Sequence, residues 1–134
     1  MNIMQESDSI VIIPTYNEME NIEKIIRAVL GLEKNFHILV IDDNSPDKTG
    51  DEVERLIKTE FGGRLFIVHR SGKLGLGTAY IQGFKWALEH GYDYIFEMDA
   101  DFSHNPNDLP RLYAACHDEG YDLAIGSRYV SGVN

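Results

Sequence analysis

Two aspartates stand one residue apart where an apolar run ends. The run is Tyr94-Ile-Phe-Glu-Met, and Asp99-Ala100-Asp101 follows it directly. Hard cations such as Mg²⁺ take oxygen ligands, commonly one or two carboxylates together with substrate phosphates. An Asp-x-Asp triplet is common by chance, so its position at the end of a strand carries the argument. We therefore predict that this pair binds a metal ion or a ligand.

A second pair of acids, Asp42-Asp43, follows the apolar run His37-Ile-Leu-Val-Ile41. A simple turn with a capping aspartate is the alternative interpretation. Adjacent carboxylates repel, and one pKa rises unless a cation or a hydrogen-bonding group lies between them. In open α/β sheets, ligands bind outside the carboxyl ends of the strands. Two strands that deliver acids to the same edge therefore predict a site there.

The segment Pro14-Thr15-Tyr16-Asn17-Glu18 follows the first apolar run. Tyr16 offers a flat face to a nucleobase, and Glu18 can accept hydrogen bonds from a base or a ribose. Helix capping is the alternative, because asparagine is a favoured N-cap residue. Both interpretations stay open, since Asn17 can cap a helix while its neighbours contact a ligand.

A glycine-rich segment, Arg70-Ser-Gly72-Lys73-Leu-Gly75-Leu-Gly77-Thr78, opens a predicted helix. Backbone amides at a helix N-terminus bind phosphate, but the segment is neither a Walker P-loop nor a convincing dinucleotide fingerprint. A flexible entry into the helix is an equal alternative. Further along, Arg128 in Gly126-Ser-Arg-Tyr can clamp a phosphate or pair with a surface acid.

Short β-branched runs alternate with segments of helical periodicity, which predicts an α/β fold with a mostly parallel sheet between helices. The predicted strands cover residues 9–14, 36–42, 65–69, 94–99 and 122–127. The predicted helices cover residues 17–30, 49–61, 78–90 and 106–119. Bulky side chains are expected to bury the third helix: Ile81, Phe84, Trp86 and Leu88.

Chain length, net charge and cysteine content limit the domain organisation and the classes of function that the sequence allows. With 134 residues, we expect a single domain over 1–134, incomplete at its C-terminus because no closing helix follows the last strand. The formal net charge of −10 argues against nucleic-acid binding, which needs a basic face. Because Cys116 is the only cysteine in the sequence, an internal disulfide is excluded, and we expect a thiol that packs in the core. Neither a signal peptide nor a transmembrane segment is expected.

Taken in order, these segments resemble the family 2 glycosyltransferases of the GT-A fold. Within that family the chain is most similar to the dolichol-phosphate (polyprenol-phosphate) mannosyltransferases. The matching motifs are Pro-Thr-Tyr-Asn-Glu at 14–18, Asp-Asp-Asn-Ser-Pro-Asp at 42–47, Lys-Leu-Gly-Leu-Gly-Thr-Ala-Tyr at 73–80, Met-Asp-Ala-Asp-Phe-Ser-His at 98–104 and Gly-Ser-Arg-Tyr at 126–129. Asn44 departs from the usual glycine, which is tolerable because asparagine visits left-handed backbone conformations.

The resemblance implies a Rossmann-like nucleotide-binding lobe whose site holds a nucleotide-sugar and a divalent ion, Mg²⁺ or Mn²⁺. The implied substrate-binding residues are Pro14, Tyr16, Glu18, Ile41, Asp43, Asp99, Ala100, Asp101 and Arg128. The implied metal ligands are Asp99, Asp101 and Ser103, and the two aspartates are also the implied catalytic residues. His104 is expected to orient these acids without binding the metal.

The implied reaction transfers mannose from GDP-mannose to a polyprenyl phosphate, with inversion. It takes place at the cytoplasmic face of a membrane, where the full-length protein is peripheral or anchored. A phosphate acceptor is already anionic near neutral pH, so no catalytic base is named. Three alternatives stay open: a family 2 transferase that uses a UDP-sugar, a receiver-type phosphoacceptor domain, and a fragment that binds nucleotide without catalysis.

Overall fold

A computed structural model describes residues 6–72, 74–119, 123–125 and 128–130, with side chains as far as residue 118. The strands are β1 (Ser9–Thr15), β2 (His37–Asp42), β3 (Leu65–His69), β4 (Tyr94–Glu97), β5 (Leu123–Ile125) and β6 (Arg128–Val130). The α-helices are α1 (Ile22–Leu30), α2 (Thr49–Leu56), α3 (Leu76–Glu89) and α4 (Leu109–Glu119). A π-helical turn (Ile57–Phe61) extends α2, and a 3₁₀ turn (Pro106–Asp108) precedes α4.

The strands form one sheet in the order β3-β2-β1-β4-β5-β6. Every neighbouring pair is parallel except β5 and β6, which pair antiparallel. The predicted α/β fold with a mostly parallel sheet is therefore confirmed, and β6 is an addition that the sequence pattern did not predict. The chain moves from β1 outward on one side to β2 and β3, then returns to β4 on the other. Such a reversal opens a crevice at the carboxyl ends of the central strands.

Alternate residues of the central strand β1 pack into two separate hydrophobic cores, one on each face of the sheet. Val11 and Ile13 pack into the core under α1, α2 and α4, together with Phe36 and Phe96. On the opposite face, Ile10 and Ile12 pack with residues of β2 and α3. The uninterrupted apolar run of β1 follows from this burial on both faces, which is typical of parallel sheets.

Helix α3 packs against the sheet through its small residues, so the prediction that its bulky residues face the core is wrong. Ala79, Gly83 and Ala87 are buried, whereas Ile81, Phe84 and Leu88 are 58%, 38% and 64% exposed. Of the four bulky residues expected in the core, only Trp86 packs against it, and it does so partly buried. The reason is distance: a Cβ added to Gly83 would lie 2.6 Å from Cγ2 of Ile12, so the helix is too close to β1 for larger side chains.

Gly83→Ala should therefore destabilise the fold. The added methyl group collides with a β-branched residue of the central strand, and overpacking of this kind costs about 1–3 kcal/mol. Gly77→Ala in the same helix is the matched control: a Cβ there meets nothing within 4 Å. Alanine at that position should be neutral or should stabilise the helix by about 0.5–1 kcal/mol. Urea denaturation of both variants tests the prediction, and an equal effect from the two would contradict it.

The first helix begins at Ile22, five residues later than predicted. Asn17 adopts a left-handed conformation (φ +56°), which no residue inside an α-helix can have. A turn precedes the helix: the carbonyl of Glu18 accepts hydrogen bonds from the backbone N–H groups of Asn21 and Ile22. Asn17 is therefore not the N-cap: Pro14 and Thr15 end β1, and the segment from Tyr16 to Glu18 is an irregular loop at the edge of the sheet.

Two smaller predictions concern the helices. Cys116 is partly buried and packs against the core around Leu109 and Leu112, as expected of a packed thiol. Within the described residues, no helix combines the length and the apolar character needed to cross a membrane.

Candidate active site

A cavity of about 320 Å³ opens at the carboxyl edge of the sheet. It lies where β1, β2 and β4 end side by side, so the loops that follow these strands form its walls. Its lining residues are Pro14, Thr15, Tyr16, Glu18, Asp43, Gly75, Leu76, Ala79, Asp99, Ala100 and Asp101. Three segments far apart in the sequence, each noted for its acids or its tyrosine, thus share one pocket. The start of the glycine-rich helix α3 supplies a fourth wall.

The loop after β4 fixes the carboxylate of Asp101 through its own turn. The backbone N–H of Ser103 donates to Oδ1 of Asp101 at 2.9 Å. Phe102, between them, has φ +63°, a left-handed conformation that tightens the turn. Hydrogen bonds from the Ser103 hydroxyl and backbone lower the pKa of Asp101, so this carboxylate is ionised well below neutral pH.

Asp99 is held from two sides by residues further along the chain or on another element. Its backbone N–H donates to Nδ1 of His104 at 3.3 Å. Its carboxylate accepts a hydrogen bond from the Tyr80 hydroxyl, 2.8 Å from Oδ1. Burial and the bond to Asp99 raise the pKa of Tyr80, so the hydroxyl stays protonated and remains a donor. The predicted role of His104, to orient the acids, fits this contact.

Negative charge accumulates in the cavity. Burial raises the pKa of Glu18, and the charges of Asp101, Asp47 and Asp99 raise it further. Burial and the charge of Asp99 likewise raise the pKa of Glu97 at the end of β4. A cation in the cavity would relieve this repulsion, because it favours the ionised form of each nearby carboxylate.

Within the described part of the chain, no three histidine, cysteine, aspartate or glutamate residues are arranged to hold a metal ion. The loop after β4 brings two carboxylates to the cavity, those of Asp99 and Asp101. Two carboxylates fit an ion that takes its remaining ligands from substrate phosphates and water, as Mg²⁺ commonly does.

The two adjacent acids at the end of β2 have different hydrogen-bond partners. Asp42 is buried and accepts hydrogen bonds from the hydroxyls of Thr15 and Ser45, at 2.7 and 2.6 Å. Asp43 turns to the cavity, where Arg70 binds both of its oxygens at 2.5 and 2.9 Å. The repulsion expected between the two acids is relieved because each has its own donors.

Arg70 also holds the glycine-rich segment in place. Its guanidinium donates to Oγ1 of Thr78 at 3.0 Å and to the carbonyl of Gly75 at 3.1 Å. The backbone N–H of Leu74 completes the link by donating to Asp43 at 3.2 Å. The Arg70 side chain is only 5% exposed, and the Asp43 side chain only 9%. The glycine-rich motif alone assigns Arg70 no role; its place directly after a predicted strand is the signal in the sequence.

The loop that follows β1, from Tyr16 onward, is braced by the turn after β2. The backbone N–H of Asn17 donates to the Ser45 hydroxyl at 2.9 Å, and that of Glu18 to the Thr49 hydroxyl at 3.0 Å. The next N–H, of Met19, donates to Asp47 at 3.1 Å. Left-handed conformations at Asn44 (φ +55°) and Lys48 (φ +72°) shape this turn, so asparagine at 44 is accommodated as expected.

Two of the predicted site residues whose side chains the structure describes do not line the cavity. Ile41 is fully buried in the core under α3, beside the pocket wall. Ser103 is exposed, and its contact is the one to Asp101. Arg128 begins β6, and its side chain lies outside the described residues, as does all of Lys73 in the glycine-rich segment.

The sequence of the chain that forms this cavity matches the model of a known family. The profile described as Glycosyl transferase family 2 matches residues 10–134, which is nearly the whole chain. The chain belongs to glycosyltransferase family 2. This membership gives no support to the alternative of a receiver-type phosphoacceptor domain.

Three curated relatives of this family 2 chain have related names. It is 51% identical over 124 residues to a polyprenol monophosphomannose synthase of Mycolicibacterium smegmatis, covering 92% of the chain and 46% of the relative. It is 46% identical to an undecaprenyl-phosphate mannosyltransferase of Micrococcus luteus (92% and 49%). Identity to a dolichol-phosphate mannosyltransferase of Pyrococcus furiosus is 42% (91% and 33%). The chain thus spans less than half the length of these relatives.

Two solved structures are similar to this family 2 chain. TarS of S. aureus (residues 1–349) superposes with a TM-score of 0.70 over 86% of this chain and 34% of its own, at 23% identity, and shows the shared fold. A Pyrobaculum calidifontis mannosyltransferase, solved in complex with GDP-Man and Mn²⁺, superposes with a TM-score of 0.56 at 26% identity. That match covers 60% of this chain and 24% of the other. The likeness confirms the predicted GT-A fold.

Proposed function

We propose that the protein transfers mannose from GDP-mannose to a polyprenyl phosphate, with inversion at the anomeric carbon. The observation that carries the proposal is the shared cavity, where Asp99 and Asp101 face the loop of Tyr16 and Glu18. The names of the three relatives support the mannosyl donor and the polyprenyl acceptor. A polyprenyl phosphate is a membrane lipid, so the whole protein would work at a membrane surface, on its cytoplasmic side.

In this proposal the loop after β1 and the end of β2 receive the nucleoside. Tyr16 offers an aromatic face to the base, while Glu18 and Asp43 accept hydrogen bonds from base or ribose donors. The bidentate contact with Arg70 keeps the Asp43 carboxylate in one orientation. Pro14, near the end of β1, restricts the backbone just before the loop because its ring fixes φ.

Asp99 and Asp101 would hold Mg²⁺ or Mn²⁺ against the diphosphate, with Ser103 and Ala100 beside them. The bound ion neutralises negative charge on the departing diphosphate. The protein's own contribution is to fix both carboxylates before the donor arrives, through Tyr80 for Asp99 and Ser103 for Asp101. Arg128 is proposed to contact a donor or acceptor phosphate.

The acceptor needs no base in this scheme. Most glycosyl acceptors are neutral hydroxyls and require one, but a phosphate monoester already carries negative charge near pH 7. The chemical step then depends on holding the acceptor oxygen in line with the anomeric carbon. Positioning of this kind can itself supply several kcal/mol, on the order of 7 or more.

A donor panel tests the proposal on the full-length protein. Calorimetry with GDP-mannose, UDP-glucose and UDP-GlcNAc, each with Mn²⁺ or with EDTA, should show the tightest binding for GDP-mannose with Mn²⁺. Incubation with polyprenyl phosphate should then yield a mannosyl lipid. Tighter binding of a UDP-sugar would favour a different family 2 transferase, and donor binding without transfer would favour a nucleotide-binding fragment.

A further inference from the structure

Tyr80 donates a hydrogen bond to the carboxylate of Asp99 from helix α3. Its neighbours at the start of α3, Leu76 and Ala79, line the cavity, whereas Tyr80 is not among the lining residues that the structure describes. The hydroxyl nevertheless reaches Oδ1 of Asp99 at 2.8 Å, across 19 residues of sequence. The contact therefore joins helix α3 to the loop after β4 without occupying ligand space.

Close packing of α3 against the sheet gives the tyrosine this reach. Gly83, three residues further along the helix, allows an approach to Ile12 that even one methyl group would prevent. Ala79 lies beside Tyr80 and is 1% exposed. The same small residues that exclude bulky side chains from this interface thus bring the Tyr80 hydroxyl to the end of β4.

The two aspartates of the candidate metal pair have different supports. Asp101 is held by Ser103, its neighbour in the same turn. Asp99 has its backbone tied to His104, but its carboxylate is held by the Tyr80 hydroxyl, from another element. Residues that hydrogen-bond a metal ligand from behind orient it and strengthen its binding.

We propose that Tyr80 is a positioning residue. Its hydroxyl donates a hydrogen bond to Oδ1 of Asp99 and so sets the rotation at which this carboxylate faces the divalent ion and the diphosphate. The inference rests on the proposed function, since it assigns Asp99 to the metal. It predicts that Tyr80 acts on metal affinity and does not contribute to the binding of the nucleoside.

Tyr80→Phe in the full-length protein tests this. Mn²⁺ affinity in the presence of GDP, followed by electron paramagnetic resonance, should weaken about tenfold, at the lower end of the effect of removing such a support. GDP affinity in EDTA and the thermal unfolding midpoint should stay close to those of the unsubstituted protein. The matched control is Tyr113→Phe, which removes the same kind of bond: the Tyr113 hydroxyl donates to Oδ2 of Asp8 at 2.8 Å, before the amino end of β1.

Each other outcome contradicts the inference in a recognisable way. If the unsubstituted protein binds Mn²⁺ with GDP and Tyr80→Phe binds it equally well, the positioning role is wrong and the proposed function is untouched. If the unsubstituted protein shows no Mn²⁺-dependent binding of GDP, the proposed function fails first. If Tyr80→Phe lowers the unfolding midpoint more than Tyr113→Phe, or weakens GDP binding in EDTA, Tyr80 supports the fold or the pocket as a whole.

Discussion

Asp101→Asn should reduce turnover by about 10³-fold, equivalent to about 4 kcal/mol of transition-state stabilisation. Asparagine keeps the size of the side chain and still offers Oδ1 to the backbone N–H of Ser103, so the turn should be preserved. What it removes is a negative charge that faces the cavity. A divalent ion held by two carboxylates loses one of them, and the diphosphate loses the cation that offsets its charge.

Two measurements separate this effect from a general loss of structure. Calorimetry with GDP-mannose should show that Mn²⁺ no longer improves the binding of Asp101→Asn, while binding in EDTA is unchanged. Asp118→Asn removes the same charge from the exposed end of α4 and should behave like the unsubstituted protein. Retention of Mn²⁺-dependent binding by Asp101→Asn would mean that Asp101 is not a metal ligand.

Arg70→Met should cost about 3–5 kcal/mol of unfolding free energy, the usual effect of removing one partner of a buried ion pair. Asp43 would stay buried, with its bidentate partner gone. Gly75 and Thr78 would lose hydrogen bonds in the same step, so the start of α3 should loosen as well. Arg70→Lys should be intermediate, because a single ammonium group cannot reproduce the two parallel bonds.

Chemical denaturation of the full-length protein measures these losses. Arg55→Met is the matched control, because Arg55 pairs with Glu52 on the surface with its side chain 49% exposed, and little change is expected there. Adding Asp43→Asn to Arg70→Met should recover part of the lost stability, since it removes the uncompensated charge. If Arg70→Met unfolds at the same denaturant concentration as Arg55→Met, the buried pair does not hold the pocket together.

The strand ends were predictable because apolar runs are strong signals and polar residues follow them at once. Once β1, β2 and β4 are assigned to one parallel sheet, their carboxyl ends must meet at one edge. The sequence alone therefore predicts that Tyr16, Asp43 and Asp99 lie in one place. Their predicted binding roles remain predictions.

The partners of these acids were not predictable from the pattern. Arg70 reaches Asp43 across 27 residues of sequence, and this contact depends on the register of β2 and β3, which pairs Asp42 with His69. Tyr80 reaches Asp99 across 19 residues, and that contact depends on how α3 docks on the sheet. The docking of α3 was itself mispredicted. Its sequence carries one stripe of small residues through Gly83 and another of large ones through Phe84, both with helical spacing. Periodicity fixes the spacing of a buried face, but the distance between helix and strand decides which stripe is buried.

The most direct test of this account is the position of the metal ion. Crystals of the full-length protein grown with GDP-mannose and Mn²⁺ should give an anomalous peak between the carboxylates of Asp99 and Asp101, within coordination distance of an oxygen of each. The guanine should lie against the loop of Tyr16 and Glu18. A peak held by other residues, or a nucleotide bound away from the carboxyl edge of the sheet, would contradict the central claim that these acids bind the donor through a divalent ion.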